Sequence, residues 1–180
     1  MPSPIAHLAA AYAVYELARR HGPEPNLRPL GPLPGLLAVT AAFSMMPDVD
    51  SVVGLIAGDF GRFHNNATHS LIVGTVVALG FAGVMRWLKR GQFFYWFSVA
   101  LVCYSMHIAM DAATFSRGVM AFWPLTDERY LLPITAFYGL HWSNGLFSIR
   151  HLWTLFTELL FVALVVVLLH RWPRRAKAQA

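Results

Sequence analysis

Three long apolar stretches divide the chain, and each is long enough to cross a lipid bilayer. They span residues 70–88, 93–110 and 152–169, and residues 159–169 of the third have no polar side chain. A transmembrane helix needs about 20 predominantly apolar residues. The pattern therefore predicts three membrane-spanning helices.

Two shorter apolar stretches come before these three. Residues 5–17 are almost wholly apolar and rich in Ala, which is typical of a helix. Residues 36–46 are also apolar, stop at Pro47 and continue as 49–57 after an acidic interruption. Between the two stretches, residues 21–35 hold five prolines and are predicted to form a loop. Whether the two stretches cross the membrane or re-enter it stays open.

Residues 112–151 have a different pattern, with many aromatic residues interrupted by Pro124, Pro133, Gly139 and Gly145. Trp and Tyr prefer the membrane interface, so this segment is predicted to be an irregular interfacial cap with short helices. The predicted fold is an all-α integral membrane bundle of about four or five membrane-embedded helices plus this cap. We expect residues 1–180 to form a single domain.

Composition supports a membrane environment. The chain is 57% apolar and 13% charged with a mean hydropathy of +0.50, whereas a soluble domain carries about 25% charged residues. The one cysteine, Cys103, excludes a disulfide within the chain and a Cys-rich zinc site. No basic segment precedes the first apolar stretch, so no cleavable signal peptide is expected.

The positive charges predict an orientation. The net charge is +5, and the basic residues cluster at the ends of apolar stretches, which favours contact with anionic lipid rather than nucleic acid. If the stretches alternate in direction, one side receives Arg19, Arg20, Arg28, Arg86, Lys89, Arg90, Arg171, Arg174, Arg175 and Lys177. The other side receives Arg62, Arg117, Arg129 and Arg150. The positive-inside rule places the more basic side in the cytoplasm.

Histidines and aspartates converge on the less basic side in the same arrangement. They follow or precede the apolar stretches at His7, Asp48, Asp50, His64, His69, His107 and Asp111. Hydropathy does not require this convergence, and ionisable groups near membrane spans are costly, so their presence usually indicates a function. We therefore predict a metal site at the non-cytoplasmic end of the bundle.

The spacing of these residues suits metal binding. His107 and Asp111 are four residues apart and share a helix face, while Asp48 and Asp50 follow the helix break at Pro47. A mixed imidazole and carboxylate set suits Zn, Mn, Fe or Ni better than Ca or Mg. We expect one or two divalent ions, with Zn as the leading candidate and Mn or Fe as alternatives. A single histidine of this kind is also typical of a hydrogen-bonded structural residue, and the turn over residues 47–50 alone is also typical of a helix cap.

Four short motifs resemble a known family. Residues 46–51 (MPDVDS), 64–70 (HNNATHS), 107–111 (HIAMD) and 122–124 (FWP) resemble the LexA-regulated, membrane-bound metal-dependent hydrolases of bacterial inner membranes. The resemblance covers residues 5–170, and His7 fits the same pattern. It implies metal-dependent hydrolysis on substrates that are poorly defined. Asn65 departs from the family, where many members have Arg.

A more distant resemblance is to the zinc-dependent phospholipase C and P1 nuclease group. It implies that Asp48 or Asp50, together with His69, His107 and Asp111, holds one metal. It also implies that His7 holds a second metal, with Asp111 bridging. The group's further His-x-x-x-Glu motif is missing here. His151 and Glu158 share a face of the last helix, so they either complete a site or leave Glu158 as a buried polar contact between helices.

The resulting functional hypothesis is metal-assisted hydrolysis of a phosphoester or another anionic, lipid-borne bond, as in a phospholipase. Asp48 and Asp50 are the catalytic candidates, with Asp50 either a ligand or the base, while His64 either binds metal or orients a ligand. Arg62, Arg117, Arg129 and Arg150 either clamp a phosphate or face lipid headgroups. The alternatives are a metal or proton transporter, which predicts ionisable groups through the bilayer depth, and a non-enzymatic membrane protein with a structural metal. The sequence gives no oligomeric state.

Overall fold

The structure is a computed structural model that describes residues 2–22, 32–140 and 148–172. Within these ranges the regular secondary structure is helical, and backbone pairing is limited to two isolated bridges, between Thr114 and Phe137 and between Val119 and Tyr130. The helices are α1 (Pro4–His21), α2 (Pro32–Met45), α3 (Val49–Ile56), α4 (Phe60–Phe63), α5 (Leu71–Trp87), α6 (Phe93–Ala112) and α7 (His151–Arg171). Short 3-10 turns cover Met46–Asp48 and Ala67–His69. The predicted all-α fold is confirmed.

Three helical segments have the length and composition to span a membrane. They are Pro34–Ile56, Phe93–Ala112 and His151–Arg171, while α5 is a shorter apolar helix. The first segment joins α2, the 3-10 turn and α3 into one predominantly apolar stretch of 23 residues. The acidic interruption after Pro47 is therefore a change of helix type within one apolar segment.

The predicted loop over residues 21–35 is wrong at its C-terminal end, because α2 begins at Pro32. The first turn of a helix tolerates proline, since its missing N–H would have no partner inside the helix. Pro32 and Pro34 therefore begin the helix. Residues 23–31 of the predicted loop lie outside the described residues.

Serine caps begin two of the helices at the same end of the bundle. The Ser3 hydroxyl accepts a hydrogen bond from the Ile5 backbone N–H at 3.2 Å, with Pro4 following as the first helical residue. The Ser70 hydroxyl accepts from the N–H groups of Ile72 and Val73, and donates to the Trp123 carbonyl. Such caps fix where a helix begins. The cap at Ser3 places His7 in the first turns of α1, and the cap at Ser70 places His69 directly before α5.

The core forms where α5 and α6 approach closely. A Cβ at Gly74 would lie 2.4 Å from the Tyr104 ring, so only glycine permits this contact. Tyr104 then donates its hydroxyl hydrogen to the Thr68 carbonyl, just before α5. Farther along, Ala78 and Ala82 pack in the same core as Trp96. This packing fixes the start of α5 against the C-terminal half of α6.

Helix α7 lies at the edge of the bundle. Many of its large apolar side chains are exposed, among them Leu160, Leu164 and Leu168. It packs mainly on α1. A helix with an apolar surface facing outward is expected to face lipid in a membrane protein.

The predicted cap is irregular, but residues 113–140 contain no helix, so the short helices expected there are wrong for this part of the chain. Pro124 and Pro133 cannot donate a backbone hydrogen bond, and Gly118 and Gly139 have positive φ angles of 84° and 80°. Residues 141–147, which include Gly145, lie outside the described residues.

Candidate metal centre

The seven predicted histidines and aspartates meet at one end of the bundle. They lie in the first turns of α1, at the junction between α2 and α3, in the segment just before α5 and in the last turns of α6. All seven side chains are buried: His7, Asp48, Asp50, His64, His69, His107 and Asp111. Their exposed fractions lie between 0% and 8%. Residues far apart in sequence therefore share one buried polar cluster.

An inner group of four residues has the spacing of a metal site. The His69 Nε2 atom lies 3.2 Å from His107 Nε2 and 3.1 Å from Asp111 Oδ2. The His107 Nε2 atom lies 3.4 Å from Asp48 Oδ1. The four ligand atoms all lie within 4.8 Å of one another. Ligands bonded to a tetrahedral zinc at about 2.0–2.2 Å lie roughly 3.3–3.6 Å apart, so these buried side chains could hold a metal ion.

Unpaired polar atoms support this fit. Both carboxylate oxygens of Asp48 and of Asp111 have no hydrogen-bond partner among the described residues, and the same is true of both ring nitrogens of His7. Burying a carboxylate without a hydrogen bond or a counter-ion costs several kcal/mol. A divalent cation would satisfy these oxygens, and the mixture of imidazole and carboxylate matches the chemistry of zinc-like metals.

His7 approaches the inner group from α1. Its ring stacks on His107, with centroids 3.8 Å apart and planes 15° from parallel. Its Nε2 atom lies 3.5 Å from Asp111 Oδ1, whereas the other oxygen of Asp111 faces His69 and His107. Asp111 therefore presents one oxygen to each side of the cluster.

A second group surrounds Asp50. Its Oδ1 atom lies 3.0 Å from His64 Nδ1, and its Oδ2 atom lies 3.1 Å from His69 Nδ1. The Thr68 hydroxyl donates to Asp50 Oδ2 at 2.7 Å, and Ser51 Oγ lies 2.8 Å from His64 Nδ1. Ligand atoms of Asp50, His64 and His69 are also close enough to share an ion.

Sequence reasoning missed the polar groups that hold these rings. Ser51 and Thr68 lie inside the motifs at residues 46–51 and 64–70, so their position in the sequence could have indicated a role beside the histidines. The third group is the Ser44 carbonyl, which accepts a hydrogen bond from His107 Nδ1 at 2.6 Å. Because every residue has a carbonyl, no side-chain pattern could have revealed this contact.

The surrounding carboxylates control the protonation of His69, which lies just before α5. Burial alone would lower the pKa of His69, but the facing carboxylates of Asp111, Asp48 and Asp50 outweigh it and raise that pKa well above its usual range. Without a cation, the three carboxylates therefore favour the protonated form of His69.

The four predicted arginines lie in two different settings. Arg117 donates to the His64 carbonyl, and Arg129 donates to the Asn65 carbonyl at 3.0 Å and to the Asn66 side chain. These two arginines hold the loop between α4 and α5. Arg62 is exposed in α4, and Arg150 is exposed directly before α7.

Glu158 lies in a contact between helices. Its carboxylate accepts hydrogen bonds from the Ser3 N–H and the Ser3 hydroxyl, and its exposed fraction is 1%. Of the two roles left open by the sequence, this geometry matches the buried polar contact. His151, seven residues earlier, begins α7.

Comparison with known proteins identifies a family. A model of the YdjM inner membrane protein family matches residues 1–177. The chain is also 33% identical over 104 residues to the inner membrane protein YbcI of Escherichia coli (strain K12). That match covers 56% of this chain and 60% of YbcI. No solved structure matches the chain. Since the family model covers nearly its whole length, the protein belongs to the YdjM inner membrane protein family and is located in the inner membrane.

Proposed function

We propose that this protein is a membrane-bound hydrolase that uses a divalent cation to cleave a phosphoester or a similar anionic bond carried by a lipid. One observation carries the proposal: Asp48, His69, His107 and Asp111 are buried with their ligand atoms within 4.8 Å of one another. The motif resemblance to metal-dependent hydrolases agrees with it. Zn is the leading cation, with Mn or Fe as alternatives.

The inner group would supply the ligands. His69 and His107 would bind through Nε2, and Asp48 and Asp111 through carboxylate oxygens. His7 faces the second oxygen of Asp111, so the cluster also has donors for a second ion. A bound cation of this kind acidifies water and polarises the bond to be cleaved.

Asp48 is our candidate for the proton acceptor in the reaction. Neither of its carboxylate oxygens has a hydrogen-bond partner among the described residues, and Oδ1 is the oxygen that faces His107, at 3.4 Å. The Oδ2 atom would accept a proton from the attacking water, as a general base does.

Two arginines support an anionic substrate. Burial and the nearby charge of Arg117 lower the pKa of Arg129. Among the described residues, neither arginine forms an ion pair with a carboxylate. Arginine binds phosphate oxygens through paired N–H donors. Since both arginines are attached to the loop that carries His64, they would hold an anion beside the metal ligands.

The surroundings support a substrate that resides in lipid. Helix α3 buries Asp50 and Gly54 but exposes Val52, Leu55 and Ile56, which are 56%, 73% and 83% exposed. This is the reverse of a soluble amphipathic helix, because the polar side faces inward. The same helix would therefore face lipid on one side and the cluster on the other.

Transport is less well supported by the same observations. A proton or metal pathway needs ionisable groups spread along the membrane depth. Among the described residues, the buried acidic residues and histidines are the seven-residue cluster, Glu158 on the adjoining part of α7, and Glu16 near the opposite end of α1. The middle of the bundle instead contains apolar groups such as Ala78, Ala100 and Cys103.

The test uses detergent-purified protein loaded with Zn²⁺ or Mn²⁺. Release of nitrophenol from a nitrophenyl phosphodiester and of headgroup phosphate from anionic phospholipid vesicles would be measured. We expect hydrolysis by the wild type and by His170→Ala, whose side chain is exposed at the opposite end of α7. His107→Ala should abolish it.

Two outcomes would overturn the proposal. One is metal-loaded wild type that cleaves no more substrate than His107→Ala on either probe. The other is hydrolysis that survives complete removal of metal by a chelator.

A further inference from the structure

We infer that Asp50 is a positioning residue that holds His64 and His69 by their Nδ1 atoms, and that it is not a metal ligand. The inference rests on the proposed metal site, but it does not depend on which reaction that site performs. It also decides between the two groups of side chains that could each hold an ion.

The contacts of Asp50 carry the inference. Each of its oxygens faces a different ring, with Oδ1 3.0 Å from His64 Nδ1 and Oδ2 3.1 Å from His69 Nδ1. The Thr68 hydroxyl donates to Oδ2 at 2.7 Å. The carboxylate of Asp50 is thus already satisfied by protein donors, unlike the carboxylates of Asp48 and Asp111.

The two possible ion sites compete for one ring. His69 belongs to both groups, with Nε2 in the inner group and Nδ1 facing Asp50. A neutral imidazole has one N–H donor and one lone pair. If Nδ1–H donates to Asp50, the lone pair is on Nε2, where Asp111 and His107 lie 3.1 Å and 3.2 Å away.

His107 follows the same arrangement with a different acceptor. Its Nδ1 atom lies 2.6 Å from the Ser44 carbonyl, which can only accept a hydrogen bond. This fixes the proton on Nδ1 and leaves the Nε2 lone pair facing Asp48. Asp50 therefore accepts the Nδ1–H hydrogen bond of His69, as the Ser44 carbonyl accepts that of His107. Carboxylates commonly support metal-bound histidines in this way.

Substitution by asparagine should separate the two roles. In Asp50→Asn the amide has one acceptor oxygen and one donor nitrogen, so it can accept from only one of the two rings. The other ring loses its support while every inner ligand stays in place. Loss of an outer partner of this kind lowers metal affinity about 10–100-fold.

Titration with Co²⁺, followed by absorption spectroscopy and metal analysis, provides the test. For Asp50→Asn we expect the Kd for Co²⁺ to rise about 10–100-fold, with the saturated spectrum and the number of ions per chain unchanged. Thr68→Val, which removes one hydrogen bond to Asp50, should raise the Kd by a smaller factor with the same spectrum. Asp48→Asn, a change in a proposed ligand, should alter the spectrum itself. The control is Asp127→Asn, because Asp127 is an exposed carboxylate in the cap.

Three results would overturn the inference. Asp50→Asn could lose one ion per chain, could change the Co²⁺ spectrum as Asp48→Asn does, or could leave the Kd unchanged. If Asp50→Asn does not fold, a Thr68→Val protein with altered ion number or unaltered Kd would overturn the inference in the same way.

The outcome is separate from that of the proposed function. Wild type that binds Co²⁺ and responds to Asp50→Asn as expected, yet hydrolyses nothing, would overturn the hydrolase proposal alone. Wild type that binds no Co²⁺, Zn²⁺ or Mn²⁺ would overturn both proposals.

Discussion

The two ends of the helical bundle both bury ionisable groups, but among the described residues only one end leaves buried carboxylates without a hydrogen bond. At the more basic end, Glu16 accepts hydrogen bonds from Arg19 at 3.1 and 2.7 Å and from Arg20 at 2.9 Å. At the other end, the carboxylate oxygens of Asp48 and Asp111 have no hydrogen-bond partner among the described residues.

The paired end has a structural role. Arg20 donates to the Leu169 carbonyl at 2.9 Å while it also binds Glu16. Carbonyls in the last turn of a helix lack partners within that helix. The Glu16–Arg20 pair therefore joins α1 to the C-terminal end of α7.

The difference between the ends shows what marks a functional site. Both ends contain buried charge, so burial alone does not distinguish them. A buried carboxylate that lacks partners destabilises the fold until a counter-ion binds, and such groups are typical of functional sites. Substitutions at the unpaired end should therefore change metal binding, whereas those at the paired end should change stability alone.

The largest effect is expected from Asp111→Asn. This change keeps the shape of the side chain but removes the charge that faces both His7 and His69. The affinity for Zn²⁺ should fall by more than the roughly 10–100-fold that loss of an outer partner causes.

Metal analysis of the detergent-purified variant would check this prediction. Asp127→Asn is the matched control, since it removes an exposed carboxylate from the same end of the protein. An Asp111→Asn protein with wild-type affinity for Zn²⁺ would show that Asp111 is not a ligand.

Removal of the metal gives the second test. A cation that binds only the folded state at a free concentration of 100 times its Kd stabilises that state by about 2.7 kcal/mol. For a chain of this size, this corresponds to a Tm shift of roughly 5–10 °C. We therefore expect a chelator to lower the Tm of the wild type by this amount and to leave the Tm of His107→Ala unchanged. Equal shifts in the two proteins would contradict the prediction.

Several helices and part of the metal centre could be predicted from the sequence alone. The helices at α5, α6 and α7 were predictable because long apolar stretches leave few alternatives in a membrane. Alternation of direction along the chain was enough to bring His7, His107 and Asp111 to one end of the bundle. This prediction required only the order of the apolar stretches along the chain.

Local backbone details were not predictable in the same way. The start of α2 at Pro32 depends on a helix position where proline is tolerated. The absence of helices in residues 113–140 depends on contacts such as the bridge between Val119 and Tyr130, which join residues distant in sequence. The motif pattern also could not separate Asp50 from Asp48, since the two differ only in which atoms they face.

The third test concerns the paired end. Glu16→Gln removes the charge that Arg19 and Arg20 share, and hydrogen bonds to charged groups contribute about 1.5–3 kcal/mol. Because Arg19 is partly exposed, we expect a loss of about 2 kcal/mol in unfolding free energy. Denaturant unfolding measures this loss. The affinity for Zn²⁺ should equal that of the wild type, and a weaker affinity would show that the two ends are coupled.

The smallest effect is expected from pH, and it should again distinguish the two ends. The pKa of His69 is raised well above its usual range in the metal-free protein, which favours the protonated ring. A cation at Nε2 must displace a proton from the ring, and metal binding to histidine is coupled to proton release in this way. Below the raised pKa, the affinity for Zn²⁺ should therefore fall about tenfold for each pH unit, or about 1.4 kcal/mol.

Zn²⁺ titrations between about pH 6 and about pH 8, where histidine is the usual titrating side chain, would check this slope. Glu16→Gln should give the same slope as the wild type, since Glu16 lies at the other end of α1 from the cluster and the two ends act independently. A Kd that does not change with pH would mean that no ring proton is displaced, and hence that His69 does not bind the metal through Nε2. A slope that changes in Glu16→Gln would instead mean that the paired charges at one end control the protonation of the unpaired ones at the other.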